Sequence, residues 1–563
     1  MRKNWNSMIK DVAAGILCIL CFCGFAPAQV PVTVSVNTRS HEFAVPADFV
    51  GLGFETKSAV PNMYGVHGYF FSPENAQLIT LFRNIGIKNI RVGGGTVDGS
   101  GTEEHCVTPT PSFKDIDNLF EFARVAGIKV IYSVRLLNVT ACADSNLARE
   151  DAKIVRYIWL KYRPQLDSIS IGNEPDVRGY HSTPGHIVDA SIYSSSPGVE
   201  GSAYRSYFAQ WQKFAAVIRK AAPGAKFSGP DTAVSDKSNF TPDRADGVSW
   251  TVEFGRQLKS SGMLIEALQH HYVWGLPENT TAQEAIDDML SSAWDDDTEK
   301  GMQPARDGGK AEFHPYPYVY DTVLAPLLTM GIPYRMTEAN DCLHGVHGAS
   351  DSFASALWAL DYMHWWAEHH MAGVNFHNNP WLTTDTIVPD PLPCPPSGCG
   401  NYQANPKSLG MKAFSLGSRG YVEPVTIANP NKINLTAYAV GTDRELYVTI
   451  INKTHNSTHD ATNAQVEIDV PGFEGAMAEA MALTDGEPGS ATLMTGTLGG
   501  SAISNSGPWT GQWTPVGRVA AGKITVMVPS TTAQVVRVRA NSMQIRNNTR
   551  GAAHAGVGKS KGM

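Results

Sequence analysis

Two short segments hold residue types suited to acid–base and nucleophilic chemistry. One is Ser168-Ile-Ser-Ile-Gly-Asn173-Glu174-Pro175 and the other is Tyr334-Arg-Met-Thr-Glu338-Ala-Asn340. In each, a strand-like run stops at a glutamate. Carboxyls on two strand ends can face each other across the mouth of a barrel. A pair about 5–5.5 Å apart is what retaining glycoside hydrolysis requires. One carboxyl must be held protonated to donate to the leaving oxygen, and the other must stay ionised to attack the anomeric carbon. A single glutamate among 53 acidic residues is ordinarily a cap or an ion-pair partner. Two at matching strand ends, the first flanked by Asn173 and Pro175, form a more specific pattern.

Elements that would position such a pair can be read along residues 48–415. Strands are expected at Phe49–Glu55, Asn89–Gly93, Lys129–Val134, Ser168–Gly172, Lys226–Gly229, Ala267–Val273, Tyr334–Thr337 and Gly373–His377. Between them lie helical patterns at Pro73–Ile85, Phe113–Ala126, Glu150–Tyr162, Tyr204–Ala222 and Phe353–His369, with apolar residues three and four apart. Alternation of this kind predicts parallel βα units, and eight strands is the number that closes a (β/α)8 barrel. An open doubly wound sheet is the alternative. Its dinucleotide-binding version lacks support, because no GxGxxG follows the first strand. In a barrel, catalytic groups sit at the C-terminal strand ends, where both glutamates fall.

Past about residue 418 the long helical patterns stop. Runs such as Ile433–Val440, Glu445–Asn452, Gln465–Val470, Lys523–Val528 and Ala533–Val538 predict an antiparallel β-sandwich. The alternating run Val30–Thr38 is expected to lend that domain a strand. The expected division is a leader at 1–28, an N-terminal strand segment at 29–47, the barrel at 48–415, the sandwich at 416–545 and a disordered tail at 546–563.

Composition narrows the function class. The 563-residue chain carries 45 Lys+Arg against 53 Asp+Glu, a net charge of −8, which argues against a nucleic-acid binder. Arg2, Lys3 and Lys10, the uncharged run Val12–Phe25 and Ala26-Pro27-Ala28 have the form of an export signal cleaved near Ala28. The apolar run is shorter than the roughly 20 residues a membrane span needs. A secreted or periplasmic protein without a membrane span is therefore expected. Three of the eight cysteines (Cys18, Cys21, Cys23) lie in the leader, leaving Cys106, Cys142, Cys342, Cys394 and Cys399. That number is odd, so at least one is free or pairs between chains. Cys394 and Cys399 are spaced to close a small loop; Cys106 with Cys142 is a weaker pairing. After the leader there is no CxxC pair to suggest a structural zinc. Sequons occur at Asn138, Asn279, Asn434, Asn452 and Asn456.

Asn173-Glu174-Pro175 and Thr337-Glu338 resemble the acid/base and nucleophile motifs of the clan A retaining glycosidases. The wider chain, from about residue 30 to 540, resembles glycoside hydrolase family 79, the β-glucuronidases and heparanases. Phe49-Val-Gly-Leu-Gly-Phe-Glu55, Ile90-Arg91-Val-Gly-Gly-Gly95 and Thr337-Glu338-Ala-Asn340 carry that resemblance, with Tyr402 to Phe414 leading out of the barrel. The resemblance implies that Glu174 is the general acid/base and Glu338 the nucleophile. It implies that Asn173 binds the sugar 2-hydroxyl and that Glu55 binds sugar in the non-reducing-end subsite. Tyr272 would orient the nucleophile, and Tyr402 joins the substrate-binding set. Family glucuronidases hold the sugar carboxylate with a Tyr and a Gly after the nucleophile. Here Gly345 fits the second role, but Leu343 stands where the Tyr is expected. His344 or His347 would assist if protonated.

The expectation is thus a secreted retaining β-glycosidase that needs no cofactor or metal and acts on a β-glucuronide or related uronate. A neutral-sugar exo-β-glycosidase is the alternative, and a non-catalytic carbohydrate-binding protein the third. Other features have plainer readings. His344-Gly-Val-His347 reads as loop histidines rather than a metal site. Only one of His270 and His271 can face the barrel mouth. Asp98 and Asp176 read as solvated loop acids. Trp274 and Trp381 suit either sugar stacking or packing, and Trp365-Trp366 suits packing. Pro380–Asn401 reads as an insertion after the eighth strand, and Cys342 is not expected to be a nucleophile.

Overall fold

A computed structural model describes residues 29–63, 66–97, 111–136, 147–176, 201–233, 248–274, 280–292, 315–342, 344–379, 382–390, 401–456 and 461–540. The leader, the C-terminal tail, Asp98, Trp381, Cys106, Cys142, Cys394, Cys399, Asn138 and Asn279 lie outside these residues.

After β1 (Gln29–Val36), eight parallel strands close into a barrel. They are β2 (Val50–Glu55), β3 (Asn89–Gly93), β4 (Lys129–Val134), β5 (Leu166–Ile171), β6 (Phe227–Thr232), β7 (Leu264–Trp274), β8 (Tyr334–Cys342) and β9 (Gly373–His377). Each is followed by helix. Five of these helices lie close to the expected positions: Ala76–Ile85, Phe113–Ala126, Leu147–Lys161, Gly201–Ala221 and Ala354–Glu368. The others are Trp250–Leu258, Ala282–Met289 with the stretch Tyr316–Thr329, and Lys407–Gly417. Local chemistry sets helix ends: Phe113–Ala126 starts at a Ser112/Asp115 capping box and stops at Gly127, whose φ is 76°.

Period-two alternation sorts side chains between barrel interior and helix layer. On β2, Val50, Leu52 and Phe54 join the apolar core. Gly51 and Gly53 belong to the other face. A Cβ on Gly53 would meet the Thr337 carbonyl oxygen at 2.8 Å, so only glycine leaves room for the strands across the barrel. On β7, His271 bonds the Tyr362 hydroxyl at 3.0 Å in the helix layer. His270 and Tyr272 bond Asp231 and Glu338 on neighbouring barrel strands.

Register shifts matter at the mouth. Gln269 pairs with Met336, but His270 pairs with Glu338, so Thr337 is an extra residue on β8. Such a bulge re-aims side chains beside a site. Thr337 and Glu338, neighbours in sequence, both reach groups of the central cluster.

Beyond the barrel, two sheets stack. One has the order 425–428, β1, 463–469 and 523–528; the other is built on 435–441, 445–452, 532–539 and 477–484. Most pairings are antiparallel, as expected, but β1 runs parallel to Asn463–Asp469. A strand arriving from the far end of the chain is not bound by hairpin geometry. Val32, Val34 and Val36 of β1 fill the sandwich interior. The outer face of the larger sheet continues the barrel core through Tyr438, Ile451, Leu483 and Val535. Helix Ala354–Glu368 lies between the two bodies and is buried from Ala354 to Ala367, Trp365 and Trp366 included.

Two expectations change. The stretch expected to lead out of the barrel contains its last helix, Lys407–Gly417, where a Cβ on Gly410 would overlap the Ala356 carbonyl. The expected insertion includes a hairpin strand, Ile387–Asp390, paired with Asn401–Ala404. Among the described residues no helix is long and apolar enough to cross a membrane.

Candidate active site

Glu174 follows β5 and Glu338 lies on β8. An oxygen of each, with a ring nitrogen of His270, lies within 4.8 Å of the others. Glu338 is buried and Glu174 half-buried. Glu174 has a left-handed φ of 45°, uncommon for a non-glycine residue, and its N–H donates to the Asp231 carbonyl at 2.9 Å.

Glu338 is held by several donors. The Tyr272 hydroxyl donates to Oε1 at 2.7 Å, and Arg91 donates to Oε2 at 2.8 Å. His377 Nδ1 lies 3.7 Å from Oε1. Burial alone would raise the carboxyl's pKa, but His377, His270, Arg91 and the Tyr272 hydrogen bond hold it well below the ordinary range. Tyr272 is pushed well above its ordinary value by burial and the facing carboxylates, so its hydroxyl keeps the proton it donates.

Arg91 is fully buried and fixed by three acceptors. It bonds Glu338, the Asn173 side-chain oxygen and the Asp231 carboxylate. With Asn173 Oδ1 occupied, Asn173 Nδ2 has no hydrogen-bond partner among the described residues, although the residue is buried. A buried donor left in this state is costly unless something else accepts from it. His377 Nδ1 and Asn379 Oδ1 are also buried without a hydrogen bond among the described residues.

Asp231 joins the cluster from the end of β6. Burial would raise it, but Arg91 and His270 bring it to about 2. Its Oδ1 meets His270 Nε2 at 3.0 Å and accepts from the Thr337 hydroxyl. His270 Nδ1 is 3.5 Å from Glu174 Oε1. Burial disfavours charge on His270, yet Glu338 and Asp231 raise it to about 10, so it is an imidazolium at neutral pH. Glu174, His270 and Glu338 would suit a metal by donor type and spacing. Paired with Asp231 through Nε2 and facing Glu174 through Nδ1, His270 is also placed to serve as a positive charge between two carboxyls, an arrangement suited to proton chemistry.

The remaining sequence-derived residues divide. Glu55 is buried, and its oxygens accept from the Gly95 N–H (3.1 Å) and the Thr96 N–H (2.6 Å). His377 Nε2 is 4.0 Å away from it. Gly345 has a φ of 79°, and its N–H donates to Cys342 Sγ at 3.2 Å. A Cβ there would meet the Thr384 amide nitrogen at 2.6 Å. Lys407 pins this region: its ammonium bonds Asn340 Oδ1 at 2.9 Å and Thr384 Oγ1 at 2.6 Å, beside Asp341. Tyr402 is not part of the cluster. It is buried edge-on against Phe70, with ring centroids 5.3 Å apart. Asp176, expected in solvent, is buried and accepts from the Ala233 N–H at 2.9 Å. His344 and His347 are exposed, and His347 pairs with Asp351. Cys342 is buried and free, its thiol pushed up to about 12 by burial and Asp341, which makes it a poor nucleophile.

Sequence reasoning gave no role to Arg91, Asp231 or His377. Arg91 sits inside a quoted motif, and His377 ends an expected strand. Asp231 lies two residues past the expected end of β6. A charged residue at the C-terminal end of a barrel strand was the available signal.

No protein-family model matches the chain, and no curated protein matches it. Its fold resembles solved glycoside hydrolases at low identity. A 4-O-α-L-rhamnosyl-β-D-glucuronidase from Fusarium oxysporum 12S, in complex with Rha-GlcA, aligns with TM-score 0.60 and 16% identity over 90% of this chain and 99% of that one. A family 51 arabinofuranosidase from Xanthomonas axonopodis pv. citri gives 0.58 and 13% over 91% and 100%. A family 44 xyloglucanase from Paenibacillus polymyxa gives 0.57 and 11% over 90% and 99%. The chain therefore has the barrel-plus-β-domain fold found among these hydrolases.

Proposed function

We propose that the protein is a retaining glycoside hydrolase with Glu338 as nucleophile and Glu174 as general acid/base. One observation carries this reading: carboxyl oxygens of Glu174 and Glu338 come within 4.8 Å at the C-terminal mouth of the barrel. That spacing suits direct attack, whereas an inverting pair stands wider to admit a water. The electrostatics divide the roles. Glu338, held ionised by Arg91 and Tyr272, attacks the anomeric carbon. Glu174, half-buried where Glu338 is buried, gives its proton to the glycosidic oxygen as that C–O bond breaks. Glu174 then takes a proton from water. The resulting hydroxide equivalent attacks the anomeric carbon, the bond to Glu338 breaks, and configuration is retained. Asn173 Nδ2 is free to donate to a sugar hydroxyl, and Glu55 lines the same mouth.

Two readings of the sugar follow. A β-glucuronide is favoured by the resemblance of the motifs and by the glucuronidase among the structural neighbours. A neutral sugar is favoured by the Gly345 N–H, which already donates to Cys342 Sγ instead of facing a ligand carboxylate. Matched aryl β-D-glucuronide, β-D-glucoside and β-D-xyloside, with Glu338→Gln as control, test both levels. Hydrolysis lost in Glu338→Gln supports the glycosidase; the preferred sugar selects the class. A protein that cleaves none of a broad panel of aryl β-glycosides, yet binds sugar, would be a carbohydrate-binding module instead. Export, expected from residues 1–28, completes the proposal.

A further inference from the structure

Asp231 bonds four other members of the central cluster, Arg91, Thr337, His270 and Glu174. It is fully buried, it bonds Arg91 through Oδ2, and it receives Thr337 and His270 at Oδ1. Its backbone carbonyl accepts the Glu174 N–H at 2.9 Å. With a left-handed φ of 69°, Asp231 presents its carbonyl to Glu174 while its carboxylate holds Arg91, which in turn bonds Glu338. His270 lies between this carboxylate, 3.0 Å from Nε2, and Glu174, 3.5 Å from Nδ1.

Resting on the glycosidase reading, we propose that Asp231 is a positioning residue that acts through His270. It fixes the imidazole as a permanent cation beside Glu174 and so sets the proton affinity of the acid/base. Among the described residues, the titratable groups facing His270 include Glu174 from the end of β5, Asp231 from β6 and Glu338 from β8, with Arg91 of β3 behind Asp231 and Glu338. Without His270 as a cation, Glu174 would lose the positive charge that faces it at 3.5 Å while ionised Glu338 stayed beside it. Its proton would then be held too tightly for the second step, in which it must act as a base. A cation at 3.5 Å offsets that repulsion without supplying a competing proton donor, because His270 does not titrate where the glutamates do.

The test uses Asp231→Asn, His270→Gln and the double variant in the full-length chain, with pH profiles of kcat/KM on an aryl glycoside that the wild type cleaves. Asp231→Asn keeps size and one acceptor but removes one of the two carboxylates, with Glu338, that favour charge on His270. The basic limb of kcat/KM, which reports the acid form of Glu174, should move up by about one to two pH units in both single variants. The double variant should move no further than either single change. kcat at neutral pH should fall, with KM changed less. An unmoved basic limb in folded Asp231→Asn and His270→Gln, whatever the loss of rate, would overturn the proposal and leave Asp231 a packing residue. If Asp231→Asn does not fold, His270→Gln alone decides by the same limb. A wild type that cleaves no glycoside would instead defeat the glycosidase reading, and this proposal with it.

Discussion

Tyr272 and Arg91 donate to different oxygens of Glu338, so the carboxylate is both charged and aimed. Removing the Tyr272 hydroxyl takes away one charge-assisted hydrogen bond, about 1.5–3 kcal/mol. The folded-state pKa of Glu338 is depressed, so its ionised form is lost only as pH falls well below the usual carboxylate range. Tyr272→Phe should therefore move the acid limb of kcat/KM upward by about one pH unit. A pH series on one aryl substrate reads this directly, and an unmoved acid limb would mean that Tyr272 does not stabilise the charge. Asn173 gives a second residue-scale prediction. The wild type should discriminate strongly against a 2-deoxy glycoside, whereas Asn173→Ala should lose most of that discrimination, because Nδ2 is a buried donor without a partner among the described residues. Equal discrimination by both proteins would remove Asn173 from substrate recognition. At this scale the two glutamates, Asn173 and Tyr272 were legible because their motifs end or follow strands. Asp231 was not, since an aspartate after Gly-Pro reads as a turn.

Strand β8 shows where element-level reading stops. It was expected to end at Thr337 and runs to Cys342. Its added residues include Glu338, Asn340 and Asp341, all buried, in a sequence that reads as loop because the barrel mouth is lined with polar groups. Strands β3, β4 and β9 and the helix Phe113–Ala126 coincide with their expected bounds, each carrying its periodicity with little interruption. The helices missed are short or hold Gly255, Pro317, Pro326 or Gly410, which weaken a helical pattern. The opposite end of the barrel carries its own polar layer. Arg335 of β8 bonds Glu266 of β7 at 3.0 Å, with Asp48 and Asp167 close by. Burial, Asp167 and Asp48 outweigh Arg335 and push Glu266 up to about 7. A carboxyl raised on folding binds its proton more tightly in the native state. Its contribution to stability is fully present below the unfolded pKa and is lost as pH rises toward 7. Glu266→Gln should thus raise the denaturation midpoint relative to wild type at pH 8 and have little effect at pH 4.5. A larger gain at the lower pH would refute this account of the layer.

Barrel and sandwich form one body through a buried polar contact as well as an apolar seam. Asp361, on the helix between them, accepts from Thr436 and Tyr438 and pairs with Lys453 of the sandwich at 2.8 Å. Removing one partner leaves the other charge in the interior, at a cost of about 3–5 kcal/mol. Asp361→Ala should lower stability by that order in urea, with loss of near-UV signal from the barrel tryptophans and of far-UV signal at one common midpoint. Separate midpoints would mean that the two bodies unfold independently. The sequence indicated two textures and a β-strand ahead of the barrel. It did not indicate the parallel seat of β1 against Asn463–Asp469, which depends on where the chain ends meet. The central claim is that Glu338 becomes the glycosyl carrier. The direct test is mass mapping after incubation with activated 2-deoxy-2-fluoro β-glucuronide, β-glucoside and β-xyloside, whose glycosyl-enzymes hydrolyse slowly. The account predicts one sugar per chain, on Glu338. A label on another residue, or turnover of the parent glycoside to the inverted anomer without any label, would contradict it.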